Sequence, residues 1–202
     1  MVTVFHAPRS RSLRVVWLAE EMGLDIQLET VAFGAPPSPA FLECNPAGTL
    51  PAMRDGEVVL TESVAILQYL VERYGPTPLT VAPDEPARPD YLQFLLLGEG
   101  GLAGPLNGVI GTLFRAPEGQ RDNFTTRFLV EGYLRRMKLV ERQLEAHRYM
   151  AADRFTAADI SVGYAIGLGL QLLNLGPELG APVLDYYQRL IERPAFQRAA
   201  AR

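Results

Sequence analysis

The first 75 residues alternate between the hydrophobic periods of strands and of helices. Val2–His6 is a short apolar run typical of a buried strand, and residues 26–30 alternate apolar and polar positions as a second strand would. Between these runs, apolar residues at i, i+3, i+4 and i+7 predict an amphipathic helix that ends at Gly23. The apolar positions of this helix are Val15, Leu18, Ala19 and Met22.

The next residues predict a hairpin followed by another helix. Two short apolar runs flank Asp55-Gly56, a dipeptide that strongly favours a hairpin turn. The helix that follows ends at Gly75-Pro76. Over residues 1–76 we therefore predict the order strand, helix, strand, short helix, strand, strand, helix. That order is typical of a thioredoxin-like α/β domain, a mixed sheet with helices on both faces.

The remaining residues predict a linker and an all-helical domain. Residues 77–89 are rich in proline and lack hydrophobic periodicity, as a linker does. Residues 90–202 contain no convincing strand and predict an all-α domain of about five helices. Asp122 is the predicted N-cap of the longest helix, and another helix begins at Thr156. The longest helix is marked by the apolar positions Phe124, Phe128, Leu134, Met137, Val140 and Leu144.

The composition is that of an ordinary globular chain, and it excludes several classes of function. Hydrophobic residues make up 48% and charged residues 21% of the 202 positions. The net charge of -4 argues against a nucleic acid or an anionic membrane as partner, because both require a basic face. No apolar stretch is long enough to cross a bilayer and no secretory signal is evident, so we expect a cytoplasmic protein.

The cysteine, the histidines and the glycine-rich segment do not indicate a redox, metal or nucleotide site. The single cysteine, Cys44, excludes an internal disulfide and a C-x-x-C redox pair, and we interpret it as a packed residue. His6 and His147 are isolated, which argues against a metal site, and neither is assigned a role. The glycine-rich residues 98–104 do not follow a strand and lack the spacing of a nucleotide-binding loop. Close helix packing, or a bend near a substrate pocket, is the better interpretation of these glycines.

The first candidate site is Ser10-Arg11-Ser12, between the first strand and the first helix. Hydroxyls at a helix start commonly cap the helix, and this structural alternative applies to Ser12 above all. The functional alternative is that one hydroxyl donates a hydrogen bond to a bound thiol. Such a bond, together with the positive end of the helix, favours the thiolate of a group whose ordinary pKa is about 8.5.

Two further candidates lie later in the same domain. Leu50-Pro51 opens a predicted strand, where a proline is often structural. If that peptide bond is cis, the Leu50 backbone N–H and C=O turn outward, and an extended peptide can pair with them as an added strand. Glu62-Ser63 opens the helix after the hairpin, either as an ordinary capped start or as a site for a carboxylate. In the second case Glu62 can pair with an ammonium group nearby.

Together these segments resemble the glutathione site of the cytosolic glutathione transferase superfamily, in its bacterial type with a serine active site. The resemblance covers nearly the whole chain, and its motifs match in order and spacing. They are Ser-Arg-Ser-x-Arg-Val-x-Trp-Leu-x-Glu-Glu at 10–21, Asn-Pro-x-Gly-x-Leu-Pro-Ala at 45–52 and Glu-Ser-x-Ala-Ile-x-x-Tyr-Leu at 62–70. Residues 154–160 match the family's capping segment, in which Thr156 caps a helix and Asp159 is the third helical residue.

The resemblance implies which residues bind glutathione as a co-substrate, with no metal. Ser10 lies four residues before Arg14, where serine-type relatives place the thiol-activating hydroxyl, and Ser12 is the second catalytic candidate. The implied glutathione-binding residues are Arg11, Thr49, Leu50, Pro51, Glu62 and Ser63. Among them, Leu50 and Pro51 correspond to the pair that holds the cysteinyl backbone. Glu62 and Ser63 correspond to the ligands of the γ-glutamyl group.

The sequence departs from the family pattern at two places. Thr49 stands where many relatives have a basic residue near the glycyl carboxylate, and Arg11 or Arg54 is expected to compensate. The first strand has no catalytic tyrosine, since Phe5 and His6 occupy the corresponding positions.

The implied function is a transferase that conjugates glutathione to small hydrophobic electrophiles in detoxification, working as a two-fold homodimer. The second substrate is expected between the two domains, against the apolar and glycine-rich residues 91–113. Alternatives at the same site are a glutathione-dependent peroxidase, dehalogenase or etherase. A non-catalytic binding or regulatory relative is a further alternative, because fold alone does not fix function.

Overall fold

The computed structural model describes all 202 residues, which form two compact units. One unit consists of Met1–Thr80 together with Ile191–Arg202, and the other consists of Val81–Leu190. The sequence analysis did not anticipate that the last residues would pack with the N-terminal ones. No helix in the chain is both long enough and apolar enough to cross a membrane.

The N-terminal unit is built on a four-stranded mixed sheet, as the sequence predicts. Its strands are β1 (Val2–His6), β2 (Ile26–Thr30), β3 (Ala52–Asp55) and β4 (Val58–Thr61). They lie in the order β2-β1-β3-β4, with β1 parallel to β2 and antiparallel to β3. The predicted hairpin joins β3 to β4, and Gly56 in its turn has the positive φ of 59° that glycine adopts without strain.

Three helices of this unit pack on the sheet. They are α1 (Ser12–Met22), α2 (Pro39–Cys44) and α3 (Ser63–Arg73). Helix α1 ends at Gly23, whose left-handed φ of 63° lets its N–H cap the last turn, as predicted. Beside α2, Phe5 of β1 packs on Phe41 with ring centroids 5.2 Å apart, in a cluster with Cys44 and Ala52. This cluster packs α2 against β1 and β3.

The second unit is helical, which confirms the predicted fold class. Its helices are α4 (Arg88–Leu96), α5 (Gly104–Arg115), α6 (Phe124–Ala146), α7 (Ala157–Leu173) and α8 (Ala181–Ile191). Residues Leu97–Ala103 form a π-helical segment between α4 and α5. Gly98 in this segment lies so close to α7 that an added Cβ would sit 2.4 Å from Ser161 Oγ. The glycine therefore serves close helix packing, one of the two interpretations that the sequence allowed.

The predicted N-cap of the longest helix was wrong. The N-cap of α6 is Asn123 rather than Asp122, because the Asn123 side chain accepts the Thr126 N–H at 3.0 Å. Phe124 and Phe128 are 76% and 51% exposed and stack on each other, so they are not core positions of the helix. Helix α4 also begins at Arg88, inside the predicted linker.

The last helix, α9 (Pro194–Ala200), belongs to the N-terminal unit and packs on α1. Arg193 donates two hydrogen bonds to the Glu21 carboxylate, at 2.6 and 2.7 Å. Phe196 meets Trp17 edge to face, with ring centroids 4.8 Å apart. The two hydrogen bonds from the Arg193 guanidinium and the contact between the Phe196 and Trp17 rings hold this helix on α1.

At the start of α7, the buried carboxylate of Asp159 gathers hydrogen bonds from three parts of the second unit. Oδ2 accepts the N–H of Thr156 at 2.8 Å and its hydroxyl at 3.0 Å. Oδ1 accepts the Met150 N–H at 2.9 Å and the Tyr186 hydroxyl at 2.8 Å. Burial raises the pKa of Asp159 to about 6, although all four hydrogen bonds act in the opposite direction. The predicted capping residue thus also ties α7 to α8.

The substitution Asp159→Asn tests this network. An amide in place of the carboxylate turns one acceptor into a donor, so buried N–H and O–H groups lose their partners. We expect the free energy of unfolding to fall by about 2 to 4 kcal/mol, measured by urea denaturation with circular dichroism. The matched control Asp153→Asn removes an exposed carboxylate bonded to His147 and is expected to cost less than about 1 kcal/mol. Equal stabilities for the two variants would contradict this account.

Candidate functional site

The ends of three strands bring the three candidate segments to one edge of the sheet. In the strand register, Phe5 of β1 lies opposite Ala52 of β3, and Ala52 lies opposite Thr61 of β4. The chain leaves β1 directly toward Ser10, enters β3 directly after Pro51 and leaves β4 directly into Glu62. Segments far apart in the sequence therefore share one end of the N-terminal unit.

Ser10 and Ser12 are joined by a short hydrogen bond but differ in exposure. Their Oγ atoms are 2.5 Å apart. Ser12 is fully buried, whereas Ser10 is only partly buried. The Ser10 hydroxyl also accepts the N–H of Ser12, the first residue of α1, at 3.2 Å. Of the two predicted catalytic residues, Ser10 is therefore the one that is partly exposed to solvent.

The Ser12 hydroxyl contacts residues at the end of β1. Its Oγ lies 2.8 Å from His6 Nδ1, and it accepts the Ala7 N–H at 3.3 Å. His6 is 3% exposed, and burial lowers the pKa of its imidazole, partly opposed by the backbone of Arg202. Sequence reasoning gave His6 no role. Its place as the last residue of β1, six positions before Ser12, was the one signal available.

The start of α1 is electrostatically suited to an anion. The aligned peptide dipoles of a helix give its N-terminus a partial positive charge, and no acidic residue lies in the first turn of α1. Arg11, the residue at the N-cap position, is partly buried and adds a full positive charge beside Ser10. An anion bound near the Ser10 hydroxyl would meet the helix end and a hydrogen-bond donor together.

The loop before β3 is braced by one buried side chain. Asn45 donates to the carbonyl oxygen of Thr49 at 2.6 Å and to its hydroxyl at 3.0 Å, and it accepts the Ala47 N–H at 3.1 Å. The Leu50–Pro51 peptide bond is cis. Leu50 is partly buried, forms no backbone–backbone hydrogen bond and so keeps its N–H and C=O available to a ligand. Pro51 is buried beneath it.

The start of α3 combines an exposed carboxylate with a buried hydroxyl. Glu62 is exposed and has a left-handed φ of 65°, which turns the chain sharply into the helix. Ser63 is 2% exposed, and its Oγ accepts a hydrogen bond from the guanidinium of Arg14 at 3.1 Å. Arg14 is fully buried in α1, so its charge lies just behind the N-terminus of α3. The sequence predicted an anion site from the helix N–H groups and the Ser63 hydroxyl, and the structure adds the charge of Arg14 to it.

The two residues expected to compensate for Thr49 are placed differently. Arg54 donates to the thiol sulfur of Cys44 at 3.1 Å and lies 3.6 Å from the Glu43 carboxylate, so it is engaged on β3. Arg11 stays at the start of α1. Thr49 itself is exposed, with its hydroxyl held by Asn45. No group of three or more His, Cys, Asp or Glu residues gathers as a metal site would require.

Comparison with known proteins finds relatives that are similar over nearly the whole chain. Residues 1–72 match the family model "Glutathione S-transferase, N-terminal domain". The chain is 29% identical over 206 aligned positions to glutathione S-transferase GstB of Escherichia coli K12, covering 98% of this chain and 97% of that protein. It is 27% identical over 214 positions to glutathione S-transferase 3 of Schizosaccharomyces pombe, covering 99% and 87%.

Solved structures are similar over the full length as well. A glutathione transferase from Methylococcus capsulatus superposes with a TM-score of 0.84 at 26% identity, covering 100% of this chain and 98% of that one. A theta class glutathione S-transferase from Xanthomonas axonopodis pv. citri, solved with glutathione bound, gives a TM-score of 0.82 at 27% identity, with 100% and 97% covered.

The substitution Asn45→Ala tests whether the loop before β3 depends on its brace. The change removes three hydrogen bonds and leaves the Ala47 N–H and the Thr49 carbonyl without their partner, so we expect a loss of about 2 kcal/mol in unfolding free energy. Trp17, the one tryptophan, lies in the same unit and reports its unfolding in urea by fluorescence. The control Thr49→Val removes only the hydroxyl contact and is expected to cost less than about 1 kcal/mol. A smaller loss for Asn45→Ala than for Thr49→Val would show that the brace is unimportant.

Proposed function

Because this chain belongs to the glutathione transferase superfamily, we propose that it catalyses the attack of the glutathione thiol on small hydrophobic electrophiles. The observation that carries the proposal is the position of Ser10, a partly exposed residue at the positive end of α1, at the same end of the sheet as Leu50 and the α3 start. The proposal includes a cytoplasmic homodimer, the form that the sequence resemblance implies.

The role of Ser10 in this proposal is to hold the sulfur as a thiolate. Only about 3% of a thiol with a pKa near 8.5 is ionised at pH 7. Lowering that pKa by about 2 units requires about 2.7 kcal/mol of preferential stabilisation of the anion. One hydrogen bond to a charged sulfur supplies about 1.5 to 3 kcal/mol, and a helix N-terminus adds about 0.3 to 1 kcal/mol. These two contributions are of the required size.

The proposal also assigns residues of this chain to the other parts of glutathione. The cysteinyl backbone pairs with the N–H and C=O of Leu50 as an added strand. The γ-glutamyl carboxylate lies at the N-terminus of α3, near Ser63 and the charge of Arg14, and the ammonium faces Glu62. Arg11 or Arg54 is the proposed partner of the glycyl carboxylate, and Arg54 also contacts Cys44 and Glu43.

Retention on immobilised glutathione, followed by assay of the eluted protein, tests the proposal as a whole. We expect the protein to be retained, to be eluted by free glutathione and to conjugate at least one electrophile in a panel of aryl halides, epoxides and unsaturated carbonyls. Hydroperoxides belong in the same panel, because reduction of a hydroperoxide without any conjugation would assign the site to a peroxidase. No retention and no turnover would favour a non-enzymatic relative.

The substitution Ser10→Ala removes the proposed donor to sulfur. We expect kcat to fall at least about tenfold at neutral pH, since losing about one pKa unit of thiol activation costs 1.36 kcal/mol. Stability should change little because Ser10 is partly exposed. The control Thr125→Ala deletes an exposed hydroxyl of α6 and should leave kcat unchanged. Full activity of Ser10→Ala together with an inactive Ser12→Ala would transfer the role to Ser12.

The substitution Glu62→Gln removes the charge proposed to face the ammonium group. We expect KM for glutathione to rise by about three- to tenfold while kcat stays within about twofold, because the lost attraction acts on binding rather than on sulfur. Initial rates at varied glutathione concentration measure both constants. The exposed Glu57, in the hairpin between β3 and β4, gives the matched control Glu57→Gln, for which neither constant should change. An unchanged KM for Glu62→Gln would remove Glu62 from the site.

A further inference from the structure

A buried chain of three polar groups leads from β1 to the surface of the site. His6 Nδ1 lies 2.8 Å from Ser12 Oγ, and Ser12 Oγ lies 2.5 Å from Ser10 Oγ. Each hydroxyl has a single proton to donate, so the direction of one hydrogen bond in the chain constrains the direction of the others. The imidazole is the one member whose proton can sit on either of two nitrogens.

The donor and acceptor roles in this chain follow from the role of Ser10. If Ser10 donates its proton to sulfur, then the bond between the two hydroxyls has to be donated by Ser12. Ser12 then has no proton left for His6, so the 2.8 Å bond has to be donated by His6 Nδ1–H. The Ala7 carbonyl also lies within reach of the Ser12 hydroxyl, at 3.3 Å, but it competes poorly with Ser10 at 2.5 Å.

The opposite tautomer disables the site. With its proton on Nε2, His6 would accept at Nδ1, Ser12 would donate to it, and Ser10 would have to donate to Ser12. The Ser10 proton would then point inward, leaving an oxygen lone pair toward the sulfur. A lone pair repels a thiolate, whereas an O–H stabilises it.

The surroundings of His6 favour the productive tautomer. Nδ1 has Ser12 Oγ as a partner at 2.8 Å, whereas buried Nε2 forms no hydrogen bond of normal distance and angle, although the nearby Arg202 backbone partly opposes the effect of burial on the pKa of the ring. An N–H buried without a partner is rarer in proteins than an under-satisfied acceptor, which favours the proton on Nδ1. Burial also lowers the pKa of the imidazole, which keeps the ring neutral with one proton. The backbone of His6 is fixed at the end of β1, because its carbonyl accepts the Val31 N–H at 2.8 Å.

We propose that His6 is a positioning residue for the thiol chemistry: as the neutral Nδ1–H tautomer, it directs the Ser12 hydroxyl toward Ser10 and so the Ser10 hydroxyl toward the glutathione sulfur. This inference rests on the proposed function of Ser10. It gives Ser12 a definite part as well, that of the relay through which His6 acts. Neither His6 nor Ser12 touches the sulfur.

The tautomer can be observed directly in the intact enzyme. In protein labelled with ¹⁵N-histidine and saturated with glutathione, long-range proton–nitrogen correlations distinguish the Nδ1–H, Nε2–H and doubly protonated rings. His147 is the other histidine, so the variant His147→Gln assigns the spectrum. We expect the His6 ring to carry one proton, on Nδ1, at neutral pH. A proton on Nε2, or two protons, would overturn the proposal.

Two substitutions at His6 separate a hydrogen-bonding role from simple packing. In His6→Asn the amide nitrogen is attached to Cγ, as Nδ1 is, so it can donate to Ser12, whereas His6→Leu fills the space without a donor. Ultraviolet titration of bound glutathione should show a thiol pKa about one unit higher in the Leu variant, with the Asn variant restoring most of the difference. Equal thiol pKa values in a folded Leu variant and in the wild type would refute the positioning role.

The Ser10→Ala variant keeps the two proposals distinguishable. If its bound thiol titrates as in the wild type, the proposed function of Ser10 fails and the inference about His6 fails with it. If Ser10→Ala raises the thiol pKa while the His6 ring is protonated on Nε2, only the inference about His6 fails.

Discussion

The short hydrogen bond between the Ser10 and Ser12 hydroxyls connects the surface of the site to the interior of the N-terminal unit. Ser10 alone would be a mobile hydroxyl at a helix start. Through Ser12 it is fixed to the buried His6 at the end of β1, and through the Ser12 N–H it is fixed to the first turn of α1. Preorganised donors are effective because they need no rearrangement when charge develops on the bound atom.

The pairing of the strands also positions the rest of the proposed tripeptide site. The pairing of β1 with β3 and of β3 with β4 places the α1 start, the Leu50 backbone and the α3 start at one edge. Arg14 then joins two of them, since it lies in α1 and donates to Ser63 in α3. The proposed site is therefore assembled from the ends of packed elements.

Much of this arrangement could be predicted from the sequence, because periodic elements and short motifs are local signals. The strands, the hairpin at Asp55-Gly56 and the end of α1 at Gly23 were predicted close to where they lie. Long-range contacts were not predictable in the same way. The burial of Ser12 against His6 and the bond from Arg14 to Ser63 depend on how elements pack. The capping residue of α6 was misassigned because Asp122 and Asn123 are adjacent residues with equal capping ability.

The central claim is that the site lowers the pKa of a bound thiol, and ultraviolet titration of the wild-type protein saturated with glutathione tests it most directly. Thiolate absorbance should appear with an apparent pKa at least about one unit below the value of about 8.5 for a free thiol. A bound thiol that titrates at or above the free value would contradict the account.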